Sequence, residues 1–258
     1  TGIRPGDIIR QRSSEHRQGS QKTPVPRIDA SKLLQPGGAM DVESRFYIKR
    51  SADEEVLTDI NRKRSLATIR GPRQTGKTSL LFRIYANARR ISDRLRPVVV
   101  DFQSFATTDF QSLNTVWKAI AAVMASQLGL SQWKPETWDV KRGYDQNISG
   151  FLDSHVFGEN ENPMLLCLDE TDRVFSEPIK CDFFASVRAF YNRGAYDPAW
   201  EKVRWLLCAS SEPSFFIEDI HQSPFNIGLN VELNPFTRVE TSELAVRHGL
   251  KFDKNMTD

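Results

Sequence analysis

The sequence predicts an α/β domain: a mostly parallel sheet with helices over both faces. The prediction rests on two kinds of segment that alternate after residue 40. Short apolar runs at Leu66–Arg70, Pro97–Phe102, Met164–Asp169, Val203–Ser210 and Ile227–Leu233 have the length and residue types of strands buried on both sides. Between them lie longer stretches whose apolar residues recur at three- and four-residue spacing, as on one face of a helix. A strand followed by a helix and another strand brings the second strand in parallel to the first.

Taken in order, residues 1–40 are rich in Ser, Gln, Pro, Gly and Arg, lack either periodicity, and end in the breaker Pro36-Gly37-Gly38. They read as a flexible basic arm or linker, with residues 41–258 as the folded domain. Ala52–Arg62 is an amphipathic helix with acidic residues in its first turn, where the helix dipole favours them. Leu66–Arg70 is the first strand. Lys77–Ala88 is a helix that puts Leu80, Leu81, Ile84 and Tyr85 on one face. After the strand at 97–102, Leu113, Val116, Trp117, Ile120, Met124 and Leu128 mark a helix stopped by Gly129. A weaker helix covers Tyr144–Val156. Asp182 is placed to cap a helix bearing Phe183, Phe184, Val187 and Phe190. Val239–His248 closes the pattern as a helix.

Several classes are excluded by composition. No apolar run approaches the roughly 20 residues that span a bilayer, and the first residues, TGIRPGDIIRQRSSEH, lack the apolar stretch of a secretory signal. The chain begins with Thr, as a piece of something longer would. Cys167, Cys181 and Cys208 are widely separated, and two of them sit in apolar runs. That usage fits a reducing, cytoplasmic setting with neither a disulfide framework nor a zinc site. The 35 basic and 33 acidic side chains nearly cancel, but in blocks: +5 over residues 1–50, −4 over 51–61, +10 over 62–96 and −9 beyond. A basic face meeting the acidic face of a second copy is the head-to-tail contact such a layout predicts.

The sharpest signal is Gly71-Pro72-Arg73-Gln74-Thr75-Gly76-Lys77-Thr78, a complete G-x-x-x-x-G-K-[ST] between an apolar strand and an amphipathic helix. The glycines let successive N–H groups turn inward onto phosphate oxygens, and the helix that continues through Ser79 adds its positive end. Lys77 is expected to reach the β- and γ-phosphates and the Thr78 hydroxyl to ligate Mg²⁺. The second signal is the strand Met164–Asp169 followed by Glu170. An acid at the end of a strand in an open sheet can hold the metal shell, a role for Asp169, and Glu170 is then placed to polarise the attacking water as general base. A third strand, Val203–Ser210, ends in Ser210-Ser211. Either hydroxyl could contact the γ-phosphate or the water, if this strand lies between the loop strand and the acidic strand.

With these parts in place, the chain resembles the AAA+ and STAND branches of the P-loop NTPases, and most of all the bacterial AAA-like domain family. The matching stretches are FYIKRSADEEV (Phe46–Val56), GPRQTGKTSL (Gly71–Leu80), LLCLDETDRVF (Leu165–Phe175), VRAFYNRGA (Val187–Ala195), SPFNIG (Ser223–Gly228) and ELNPFTRVETSELAVRHGL (Glu232–Leu250). The resemblance implies a three-layer αβα core with a five-stranded parallel sheet, the loop strand beside the sensor strand. It also implies ATP rather than another nucleotide; in agreement, the chain has no guanine-specifying N-K-x-D stretch. By the same resemblance, Tyr47, Ile48 and Arg50 are expected to pack on the adenine, and Arg188 or Arg193 to act as an arginine finger on a neighbouring copy. The family continues into a winged-helix-like lid that has no counterpart before Asp258.

The leading functional expectation is an ATP-driven switch with slow ATPase activity. It would couple the ATP·Mg²⁺ state to self-association or to control of an attached or partner effector, in bacterial signalling or defence. The alternative is a DNA-associated AAA+ ATPase of the loader or transposition-regulator kind, motivated by the basic arm and the basic 62–96 block. A nucleotide-binding scaffold without turnover is a third class, disfavoured by the intact Lys77, Thr78, Asp169 and Glu170.

Overall fold

The computed structural model describes residues 38–91, 95–158, 160–210 and 224–250. The arm, Ser211 and Ser223 lie outside the described residues, apart from the last few residues of the arm. The five expected strands form one sheet: β1 (Leu66–Arg70), β2 (Arg96–Asp101), β3 (Met164–Asp169), β4 (Val203–Ala209) and β5 (Leu229–Glu232). The order is β2-β3-β4-β1-β5 and every pairing is parallel. The loop strand β1 therefore lies beside β4, and β4 separates it from the acidic strand β3, as expected.

Eight helices accompany the sheet among the described residues: α1 (Ser51–Ile60), α2 (Lys77–Ile91), α3 (Leu113–Leu128), α4 (Tyr144–Phe151), α5 (Asp172–Phe175), α6 (Lys180–Arg193), α7 (Pro198–Glu201) and α8 (Arg238–Arg247). None is long and apolar enough to cross a membrane. The α4 helix runs on as one π-turn over Leu152–Val156, which accounts for the weak helical pattern there. One expectation fails locally: α6 begins at Lys180 with Ile179 at its N-cap, so Asp182 sits inside the first turn and is not the cap. Its charge still favours that end of the helix.

The sheet divides the apolar residues into two cores, and successive strand residues alternate between them. Leu165, Cys167, Leu206 and Cys208 face α1 and α2 with Ala67, Ile69, Leu80, Leu81 and Ile84. Leu166, Leu168, Trp205 and Leu207 face the other side, with α3, α4 and α6. This is why the strands read as continuous apolar runs. The second core is aromatic: Phe190 stacks on Trp200 at 4.1 Å, and Trp117 donates from Nε1 to Ser186 Oγ at 3.0 Å. Burial of the indole N–H is thereby compensated.

Two details fix the edges. The outer edge of β2 would leave the backbone of Val99 without a partner. Gln127 of α3 supplies both halves, its Oε1 accepting from Val99 N at 2.9 Å and its Nε2 donating to Val99 O at 2.6 Å. At the other side, Gly228 enters β5 at φ +70°, where an added Cβ would sit 2.1 Å from the backbone oxygen of Leu66. Only glycine lets β5 close onto β1 there.

The basic 62–96 block does not form one face. Arg83 donates to the backbone of Val42, Arg96 donates to Val156 O at 2.7 Å and Asn162 O at 3.1 Å, Lys63 pairs with Glu201 at 2.9 Å, and Arg90 pairs with Glu43 at 2.6 Å. Adjacent residues on a helix or strand point different ways, so a run of like charge in sequence is dispersed in space.

Candidate functional site

All five strands point the same way, so their carboxyl ends gather on one edge, where open α/β sheets place ligands. In register, Arg70 of β1 lies opposite Ala209 of β4, and Asp169 of β3 lies opposite Asp101 of β2. The segments leaving these tips surround a cavity of about 610 Å³. Arg73, Gln74, Gly76, Lys77, Thr78, Ser79, Asp169, Glu170 and Ser210 all line it, as do Asp101 and Gln103.

The loop from Gly71 to Lys77 makes the first wall. Gly71 has φ +150°, and a Cβ there would stand 2.3 Å from Leu233 O; the N–H of Leu233 in turn donates to Arg70 O at 2.6 Å. Glycine is required by that close approach. Gln74 takes the left-handed conformation at φ +65°, an uncommon one for a side-chain-bearing residue. Thr75 Oγ1 closes the turn by donating to Pro72 O at 2.8 Å. Lys77, buried, donates from Nζ to Gly71 O at 3.0 Å and Pro72 O at 2.9 Å. Burial lowers its pKa, opposed most strongly by the nearby Asp172. Ser79 Oγ is taken up by a bond from Met40 N at 2.9 Å.

The opposite wall is acidic. Asp169 is 4% exposed and shares a hydrogen bond with the Thr78 side chain. Burial pushes its carboxyl up from 3.8 to about 6, against hydrogen bonds from Glu170 N and Thr78. A buried carboxylate and a hydroxyl in contact are hard oxygen donors that fit Mg²⁺, and the burial of the acid shows the charge that a cation there would compensate. Glu170 stands at φ +53°, with its Oε2 3.5 Å from Gln103 Nε2. The turn that holds it is anchored to β4: Thr171, fully buried, donates from both N and Oγ1 to Cys208 O at 3.1 and 2.7 Å, and Ser210 N donates to Asp172 Oδ2 at 2.5 Å. The Cys208 thiol beside them is buried, and burial raises it well above its usual pKa.

The remaining candidates are placed elsewhere. Tyr47 and Ile48 are 6% and 2% exposed and do not line the cavity. Tyr47 donates to Asp53 Oδ1 at 2.8 Å, and the guanidinium of Arg83 covers its ring at 4.1 Å. Its burial and the Asp53 charge raise the phenol pKa. Arg50 reaches beneath the loop, donating to Thr75 O at 2.7 Å. Tyr47 and Arg50 thus brace α1, α2 and the loop, and Phe46, Tyr47 and Ile48 are three consecutive buried residues. On α6, Arg188 donates to Asn226 Oδ1 at 2.5 Å and Arg193 pairs with Asp197 at 2.8 Å, both away from the cavity.

Sequence reasoning passed over Asp101, Gln103 and Thr171. Asp101 carried the same signal as Asp169, an acid ending an apolar strand, but its nearness to the site follows from β2 pairing with β3. Asp101 is itself held in place by accepting from Gln103 N at 2.9 Å.

The comparisons agree with this architecture. The chain matches the AAA-like domain family over residues 35–258. An uncharacterised WD repeat-containing protein of Synechocystis is 28% identical over 226 residues, which cover 85% of this chain and 18% of that protein. Among solved structures, the ORC2 protein of Aeropyrum pernix, in ADPNP–ADP complexes, superposes with a TM-score of 0.56 at 19% identity, covering 82% of this chain and 55% of its own. Cdc6p of Pyrobaculum aerophilum gives 0.53 at 15% identity, covering 82% and 54%. The chain thus spans about half the length of these structures, and at such identity the likeness is one of fold. The phosphate loop, the β2-β3-β4-β1-β5 sheet and the match over most of the sequence together show that the chain belongs to the AAA-like domain family of P-loop ATPases.

Proposed function

We propose that this chain binds ATP with Mg²⁺, hydrolyses it slowly, and uses the nucleotide state to control self-association or an attached or partner effector. The observation that carries the reading is the convergence of Lys77, Thr78, Asp169, Glu170 and Ser210 on one cavity of about 610 Å³ from three separate strand ends. In this reading the loop amides and Lys77 hold the phosphates, Thr78 and Asp169 hold Mg²⁺, and Glu170 takes the proton of the attacking water. Mg²⁺ held there would supply positive charge to offset the charge that develops on the phosphates. Ser210, or Ser211 beside it, contacts the γ-phosphate or the water. Arg188 or Arg193 serves a neighbouring copy once released from its present partner.

Residues 1–40 are taken as an arm and 41–258 as the nucleotide-binding domain. The Synechocystis relative supports an attached partner, since its name records WD repeats and the matched part is only 18% of it. The effector reading stands ahead of DNA association because Arg83 and Arg96 of the basic 62–96 block are spent on part-buried backbone contacts. The test is a pair of variants. Lys77→Ala is expected to abolish binding of Mg·ATP, and unchanged affinity would overturn the site. Glu170→Gln is expected to bind ATP and lose turnover about 10²-fold or more; retained turnover would remove Glu170 as base. Mobility of the protein with duplex DNA at two salt concentrations checks the alternative, which predicts a steep salt dependence.

A further inference from the structure

Arg50, which the family resemblance places near a purine, makes contacts in the structure that the resemblance did not include. Its Nη2 donates to Thr75 O at 2.7 Å and its Nη1 to Asn234 O at 3.3 Å. The guanidinium carbon lies 5.2 Å from the centre of the Phe236 ring. Its own N–H donates to Asp53 Oδ2 at 3.0 Å, which fixes the residue at the start of α1. One side chain thus joins segments 25 and 184 residues distant in sequence: the phosphate loop and the linker between β5 and α8.

The Thr75–Gly76 peptide is trans, so its C=O and N–H point in opposite directions. Holding the Thr75 oxygen on Arg50 turns the Gly76 N–H the other way, and Gly76 lines the cavity. Gly76 stands at φ +91°, and a Cβ built on it would lie 3.1 Å from Arg50 Nη2. The second motif glycine therefore serves two ends, the turn of the loop and the approach of the guanidinium beneath it. Arginine suits the position because it offers two N–H groups in a fixed fork and a flat face for an aromatic ring, whereas lysine is a point charge.

We infer that Arg50 is a positioning residue for the phosphate loop: it holds the Thr75 carbonyl away from the cavity so that the Gly76 amide faces a ligand phosphate, and it ties that setting to the Asn234–Phe236 linker ahead of α8. This rests on the nucleotide-binding reading above. Arg50 then couples occupancy of the cavity to the Asn234–Phe236 linker, in addition to the backbone contacts of Arg70 and Gly71 with Leu233.

The experiment measures Mg·ATP and Mg·ADP binding by calorimetry, and amide hydrogen exchange at Asn234, Phe236 and Thr237 with and without nucleotide. Wild type, Arg50→Ala and Arg50→Lys are compared, after circular dichroism and melting have shown them folded. Arg50→Ala is expected to weaken both nucleotides about tenfold, the scale of one charge-assisted hydrogen bond, and to lose nucleotide-induced protection of the linker. Arg50→Lys is expected to bind within about threefold of wild type, since one donor suffices for Thr75 O, yet still to lose that protection. Wild-type affinity in Arg50→Ala, or full linker protection in either variant, overturns the inference. Should Arg50→Ala not fold, linker protection in Arg50→Lys decides alone: loss supports the inference and retention overturns it. A wild-type protein that does not bind Mg·ATP instead refutes the nucleotide-binding reading itself.

Discussion

Replacing Asp169 by Asn should separate stability from metal binding, and the structure supplies the size of the effect. In the folded chain burial raises this carboxyl from 3.8 to about 6. A difference of that size corresponds to about 3 kcal/mol between the protonated and charged forms, at 1.36 kcal/mol for each tenfold step. The sign follows from linkage: the folded state binds the proton more tightly than the unfolded chain, so above about pH 6 the folded protein carries the cost of a buried charge. As pH falls through about 6 toward 3.8 that cost is relieved, and at pH 5 about half of it remains. Asparagine has no charge to bury, keeps an oxygen to accept from Glu170 N, and offers its amide to the Thr78 hydroxyl. Without ligand, Asp169→Asn is therefore expected to be more stable than wild type by up to about 3 kcal/mol at pH 8, with the advantage halved at pH 5. With Mg·ATP the order is expected to reverse, because under the proposed role of Asp169 the wild type gains binding energy through the metal. Urea unfolding followed by tryptophan fluorescence measures both arms. A variant less stable than wild type at pH 8 without ligand, or an advantage equal at the two pH values, would refute the argument.

Two further predictions concern the scaffold. Gly228→Ala forces a Cβ to within 2.1 Å of Leu66 O at a φ of +70°, so β5 must move off β1; a loss of about 2 kcal/mol, or about 6 °C in melting temperature, is expected, and an unchanged melt would show that the turn adapts freely. Thr171→Val keeps the shape but removes the 2.7 Å bond from Oγ1 to Cys208 O; urea unfolding should show a loss of about 1 kcal/mol, and none if the remaining N–H bond to the same oxygen suffices.

How far the site could be read from sequence depends on the range of the interactions involved. The loop Gly71–Thr78 is a local device: its glycines, lysine and threonine act within eight consecutive residues, so their spacing carries the chemistry. Asp169 and Glu170, a weak signal alone because strands often end in a solvated acid, were legible because a phosphate loop stands upstream and the two metal-holding parts are expected together. Asp101 ends its strand in the same way, yet nothing local says that β2 lies against β3 rather than at the far edge. The contacts that Tyr47 and Arg50 make within the chain were illegible for the converse reason. Aromatic, aliphatic and guanidinium groups suit a purine in composition, but Asp53, Arg83 and the Thr75 carbonyl compete for them and lie nearer.

Periodicity and turn chemistry in the sequence alone were enough for the α/β class, the five strands, most helix limits and the phosphate loop, because those signals act over a few residues. The places of β2 and β5 at the two edges of the sheet, the pairing of Asp101 with Asp169, the hold of Thr171 on β4 and the task of Arg50 came from packing. Each depends on which distant segments share a face, and hydrogen bonds across 37 to 184 residues leave no mark in local spacing. The charge blocks show the difference most plainly: contiguous in sequence, their side chains are scattered by helix and strand geometry and drawn individually into caps, ion pairs and the underside of the loop.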